Sequence, residues 1–180
     1  MLTKQQLIDQ TFASADVDGD GYLTESDLIA SATRLSTAML DKVAAGDATG
    51  KPLPADVAEM LTTAADLMPR MSAVQWRMIG SIARLDDQGR LTRDEFARIT
   101  DHLMAGETDD AHNLVFDATW HLLHADGEDF MRRDDWHRFA EAHAITRYVD
   151  DLFDEMDSDH DGKVSKDDYL AVRSGWDERA

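Results

Sequence analysis

Two twelve-residue stretches constrain this chain more than any other feature. They are DVDGDGYLTESD at residues 16 to 27 and DSDHDGKVSKDD at residues 157 to 168. Each places Asp at positions 1, 3 and 5 and Gly at position 6. Alternate acidic residues in a tight loop bring several carboxylate oxygens onto one small volume, and a sharp turn at position 6 demands a residue free of a Cβ. Such oxygens repel one another unless a cation lies between them.

The ligand set can be read off the spacing. In the first loop Asp16, Asp18 and Asp20 supply side-chain oxygens, Tyr22 its backbone carbonyl, Thr24 a direct or water-mediated oxygen, and Asp27 the closing carboxylate. Asp157, Asp159, Asp161, Lys163, Ser165 and Asp168 take the same roles in the second. Composition limits which cation fits. The chain has no cysteine, so thiolate sites are excluded and hard, oxygen-preferring ions are favoured. Its 37 acidic against 18 basic residues give a formal net charge of −19, which disfavours nucleic acid and anionic membrane surfaces as partners.

Apolar residues recur at helical spacing over most of the 180 residues, interrupted by short Asp/Gly-rich stretches with little β-type alternation. The pattern predicts an all-α chain of helix, loop, helix units. Gly46 to Pro54, with two Gly and two Pro, predicts an exposed break with helix restarting at Ala55 or Asp56. A second boundary is expected around residues 106 to 110. It divides the chain into residues 1–107 and 108–180. No apolar run approaches the length of a membrane span, and Met1 to Gln6 has no signal-like character, so a cytoplasmic location without membrane attachment is expected.

These loops resemble those of EF-hand proteins, and the flanks extend the likeness. Ile8, Phe12 and Ala15 precede the first loop at the offsets at which Val149, Phe153 and Met156 precede the last. Position 8, which forms a short β-bridge between paired hands in that family, holds Leu23 and Val164, and position 13 holds Leu28 and Tyr169. The same ruler finds two further loops. One runs from Arg84 to Glu95, with Gly89 at position 6 and Leu91 at 8. The other runs from His124 to Asp135, with Met131 at position 8 and Trp136 at 13. Arg84 at position 1 repels a metal, leaving Asp86, Gln88 and Glu95 as side-chain ligands. His124 and Asp129 depart from the pattern, although Asp126, Glu128 and Asp135 keep acidity, so this loop is the candidate third site.

Loop starts at 16, 84, 124 and 157 leave a long insertion after the first hand. That spacing resembles the sarcoplasmic calcium-binding proteins and the bacterial calerythrin-like proteins. The resemblance implies four hands in two paired lobes of one compact monomer, with short β-bridges between paired loops. Calcium is expected at the two acidic loops with magnesium as competitor, the lack of a nucleophile elbow, phosphate loop, HExxH helix or dinucleotide fingerprint argues against an enzyme, and the resemblance favours an intracellular buffer. The alternative is a sensor that exposes an apolar surface to a protein partner when calcium binds. Both good loops end in Asp where the family most often has Glu, which predicts weaker calcium binding and poorer discrimination against magnesium. The Met residues, among them Met60, Met68, Met71 and Met78, are expected in the core, as are Trp76, Trp120, Trp136 and Trp176. Glu25, Asp94 and Glu95 are expected to be solvated charges at helix starts.

Overall fold

The computed structural model describes residues 2–47, 49–104, 110–123, 128–142 and 145–175, without the side chains of 101–104, 110–116, 142 and 172–175. In chain order the elements are α1 (Lys4–Ala15), β1 (Tyr22–Leu23), α2 (Glu25–Ala45), α3 (Ala55–Ile82), β2 (Leu91–Thr92), α4 (Arg93–Met104), α5 (Asp110–Leu123), β3 (Phe130–Arg132), α6 (Arg133–Ala142), α7 (Val149–Met156), β4 (Lys163–Ser165) and α8 (Lys166–Gly175). The all-α expectation holds, with each loop flanked by two helices.

Local chemistry sets the helix ends. The Thr3 hydroxyl accepts from the Gln6 N–H, and the Gln6 side chain accepts from the Thr3 N–H, which satisfies two otherwise open donors at the start of α1. Thr24 and Asp27 make the same reciprocal cap for α2. At the other end of α2, Gly46 has φ +80°, and a Cβ there would lie 2.1 Å from the Lys51 carbonyl oxygen, so only glycine closes the turn. The Asp47 carboxylate then accepts from the Thr49 and Lys51 N–H groups at 2.8 and 2.9 Å, and helix resumes at Ala55 as the sequence predicts.

The loops pair as antiparallel two-stranded ladders. β1 meets β2 with Leu23 opposite Leu91, and β3 meets β4 with Met131 opposite Val164. These position-8 residues are at most 1% exposed. Burying each contributes about 1.5–3 kcal/mol relative to exposure, so the register is fixed as much by side chains as by hydrogen bonds. Under the first ladder pack Ile8, Phe12, Ile79, Phe96 and Ile99, and under the second Trp120, Leu123, Trp136, Phe153 and Met156.

Residues between the first two loops lengthen α2 and α3, which pack along each other and against α5 through Met39, Leu61, Ala64, Ala65 and Ala118. Small residues at the contact let the helices approach closely. Two hydrogen bonds also join the chain's two ends: the Leu2 N–H donates to Glu155 Oε2 at 3.0 Å, and the Arg147 N–H donates to the side-chain oxygen of buried Gln10 at 3.0 Å. The expected division at residues 107 and 108 lies outside the described residues.

One side-chain expectation is corrected, and that for the tryptophans is met in part. Met78 is 58% exposed, with Val74 and Ile82 beside it on the same face of α3, because that face turns away from α2 and the loop ladder. Trp120 and Trp136 are core residues, Trp76 is half-buried against the first core, and Trp176 lies outside the described residues.

Candidate metal centre

In the first loop, Asp16 caps the C-terminus of α1, and its carboxylate accepts from the Gly19 and Gly21 N–H groups at 2.9 and 3.0 Å. Asp18 accepts from the Asp20 N–H at 3.1 Å, and Asp20 from the Tyr22 N–H at 2.9 Å. Asp16 thus gathers the backbone three and five residues on, and Asp18 and Asp20 each the N–H two residues on, leaving the remaining lone pairs for a ligand. Gly21 at position 6 takes φ +85°. Asp27, 4% exposed, accepts from the Val17 and Thr24 N–H groups at 3.2 and 2.9 Å and from the Thr24 hydroxyl at 2.6 Å.

The last loop repeats this scheme. Asp157, 4% exposed, accepts from the Asp161 and Gly162 N–H groups at 3.1 and 3.0 Å, and Asp161 accepts from the Lys163 N–H at 2.8 Å. Asp168 accepts from the Ser165 N–H at 3.0 Å, its hydroxyl at 2.5 Å and the Ser158 hydroxyl at 3.2 Å. These bonds, led by that from the Ser165 side chain, hold the Asp168 carboxyl below the usual range and keep it charged. Position 4 differs between the two. Gly19 there has φ +73°, and His160 adopts φ +59° in spite of its Cβ.

Ligand atoms of Asp16, Asp18 and Asp27 all lie within 4.8 Å of one another, as do those of Asp157, Asp159 and Asp161. Of the sequence-expected side chains, Asp20 and Asp168 stand outside these groups. Asp20 has its carboxylate 3.9 Å from the Arg90 guanidinium, and Asp168 is held by the two serines. Thr24 and Ser165 cap the exiting helices, and Tyr22 and Lys163 lie in the ladders. Clustered carboxylate oxygens without nitrogen or sulfur donors fit a hard divalent cation.

The two remaining loops differ. In loop 84–95, Gly89 makes the turn at φ +74°, yet Asp86 accepts from the Arg90 side chain at 2.9 Å and Glu95 accepts from Arg98 at 2.5 and 2.8 Å. Glu95 is 13% exposed at its side chain, which corrects its expected place as a solvated charge. Its carboxyl is pushed down to about 2, chiefly by the bond from Arg98. In loop 124–135, His124 and Asp126 lie outside the described residues. Glu128 accepts from Arg132 at 2.8 and 3.1 Å, and Asp135, 8% exposed, is paired with Arg138. Arg98 and Arg138 both stand at position 15, two residues beyond the position-13 residues that complete the spacing pattern.

Residues 7–30 and 149–172 match the family model described as EF hand. No curated protein matches the chain in sequence. Among solved structures, a calcium-binding protein of Streptomyces coelicolor is 20% identical over 98% of this chain and 99% of that one, with a TM-score of 0.56. Calcium-loaded apo-aequorin from Aequorea victoria is 15% identical over 96% and 90%, also at 0.56. The okadaic acid binding protein 2.1 is 14% identical over 96% and 86%, at 0.52. At identities of 14–20% the likeness shows the fold alone. Residues 7–30 and 149–172 are thus matched as EF hands, and each of these two segments carries one carboxylate cluster and belongs to a different β-bridged pair of loops.

Proposed function

We propose that the protein is a calcium buffer in which loops 16–27 and 157–168 each bind one ion, with magnesium as competitor, and that it acts by binding rather than by catalysis. The observation that carries this reading is the pair of three-carboxylate clusters, one at each β-bridged pair of loops. Asp16, Asp18, Asp20 and Asp27 serve the first site, with the Tyr22 carbonyl and Thr24. Asp157, Asp159, Asp161 and Asp168 serve the second, with the Lys163 carbonyl and Ser165. The closing residue is aspartate in both, which favours six oxygens over seven and so raises magnesium's competitiveness.

Buffering fits the packing. Helix faces that a sensor would open onto a target are occupied here by α2, α3 and α5 against one another, and by the cores beneath the two ladders. Calorimetric titration of metal-stripped protein with calcium, with and without millimolar magnesium, tests the proposal. Two sites weakened by magnesium support it. No detectable heat or competition refutes it.

A sensor is the second reading, favoured by the apolar stripe Val74, Met78 and Ile82 on α3, each 42–58% exposed. Residues 67 to 85 around it hold three Arg and no Asp or Glu in a chain of net charge −19. An apolar dye distinguishes the two roles: a buffer gives little calcium-dependent change in its fluorescence, and a sensor a strong rise.

A further inference from the structure

An EF hand without metal leaves a specific problem. The carboxylate at position 12 sits on the exiting helix, and an ion normally draws it onto the loop and so ties the exiting helix to the entering one. In loop 84–95 that carboxylate is Glu95, at the start of α4. Its Oε1 accepts from the Arg84 N–H at the loop's first residue at 2.5 Å, and both its oxygens accept from Arg98, one turn further along α4. Arg98 then reaches back and donates to the Ile82 carbonyl, the last residue of α3, at 2.9 Å. One guanidinium thus contacts the closing carboxylate and the entering helix together.

Numbering from each loop start shows that this is position-specific. Position 15 is Arg98 in the second loop and Arg138 in the third, but Ala30 in the first and Ala171 in the fourth. Arg138 pairs with Asp135, the position-12 carboxylate of its own loop. Each of these two loops also carries a second arginine on an earlier ligand-position carboxylate: Arg90 on Asp86 at 2.9 Å, and Arg132 on Glu128 at 2.8 Å. Arg90 further stacks over Tyr22 of the first loop at 3.6 Å, so this internal cation is shared across the ladder. A planar guanidinium with five donors can satisfy a carboxylate bidentately and a carbonyl at once, which a lysine cannot.

We propose that the second hand is closed by arginine in place of a metal ion: Arg98 joins Glu95 to the Ile82 carbonyl and holds the α3–α4 pair shut, while the first hand, bridged to it, is completed by an ion. The third hand shares one part of this, the pairing of its position-12 carboxylate Asp135 with Arg138. The first ladder therefore joins one hand that is shut in the absence of metal to one that metal shuts. The second half of this statement rests on the calcium-binding reading above; the first does not.

The test is a double-mutant cycle on the full chain stripped of metal by chelator, read by thermal melting in circular dichroism, with Arg98→Gln, Glu95→Gln and the double variant. Arg70→Gln is the control, since Arg70 makes an exposed pair with Asp66 on α3 away from any loop. The expected result is a loss of several degrees in Arg98→Gln, a change of under about one degree in the control, and partial recovery in the double variant, which leaves no unpaired carboxylate. Additive effects, or Arg98→Gln melting like the control, overturn the proposal. Should Arg98→Gln fail to fold, Arg98→Lys and the double variant decide. Restored folding in the double variant with Arg98→Lys still melting low supports closure by the guanidinium; no restoration in the double variant, or native melting in Arg98→Lys, overturns it.

A calcium titration of Arg98→Gln adds a readout that general destabilisation would not give. The first-loop site weakens severalfold while the fourth-loop site is unchanged; equal weakening of both overturns the link across the ladder. Loss of calcium binding in the unaltered protein would sink the buffer reading and leave the metal-free cycle standing. A null cycle with two intact sites would sink only this inference.

Discussion

Lengthening Asp168 to Glu adds one methylene, about 1.5 Å of reach, to the carboxylate that closes the last loop. Asp168 is not among the three carboxylates whose oxygens gather within 4.8 Å, whereas its counterpart Asp27 is. The longer side chain therefore adds an oxygen to a site that lacks it in the fourth loop, and adds less in the first. Its cap survives, because Ser followed three residues later by Glu is the favoured reciprocal pair at a helix start. Ligand number is what tunes these loops over decades of affinity. A gain of about 1.4 kcal/mol, or tenfold in calcium Kd, is expected for Asp168→Glu, against about threefold for Asp27→Glu. Calorimetric titration measures both, with Asp16→Ala and Asp157→Ala variants used to assign the sites. Unchanged or weaker binding in Asp168→Glu would refute the reasoning, and so would an equal gain in Asp27→Glu.

Other perturbations read different parts of the structure. His160 holds φ +59° where Gly19 stands in the first loop, so His160→Gly removes about 1 kcal/mol of left-handed strain, partly offset by a freer unfolded chain. A melting point higher by about 1–2 °C is expected, and a lower one contradicts the strain. Glu95 titrates near 2 in the folded chain against an ordinary value of 4.5, so its pairing stabilises the fold above about pH 4.5 and that contribution is lost as pH falls toward 2. Metal-free melting followed over that window should flatten in Glu95→Gln; an identical pH slope would show that other carboxyls set it. Phe153, fully buried with the Arg133 guanidinium 4.4 Å from its ring, anchors the last hand. Phe153→Ala should cost about 3–5 kcal/mol in urea unfolding, and a loss below about 1 kcal/mol would place it outside the core.

Much of this was legible along the chain because local rules dictate it. Alternating Asp with Gly at position 6 admits few backbones, and a loop bounded by apolar residues at offsets of eight, four and one is a helix–loop–helix unit wherever it occurs. Leu23, Leu91, Met131 and Val164 were each readable as bridge residues from their place in the loop, and the pairings Leu23 with Leu91 and Met131 with Val164 followed from hand order. The two carboxylate clusters were equally plain, since their ligands lie within twelve residues of one another.

What the sequence could not decide is which charges meet. Glu95 and Arg98 are three residues apart on an ordinary helix start, where an exposed pair contributes little. Only the placement of α3 brings the Ile82 carbonyl within 2.9 Å of Arg98 and makes that pair a closure between helices. Arg90 reaching Tyr22 and Asp20, Gln10 accepting from Arg147, and Leu2 donating to Glu155 are likewise contacts between residues 68 or more apart. Met78 shows the converse, an apolar residue at helical spacing that the fold leaves in water because α2 covers a different face of α3. Backbone turns and ligand spacing depend on neighbours in sequence, and so the sequence determines them. Charge pairing and burial depend on which helix faces meet, and only tertiary packing sets that.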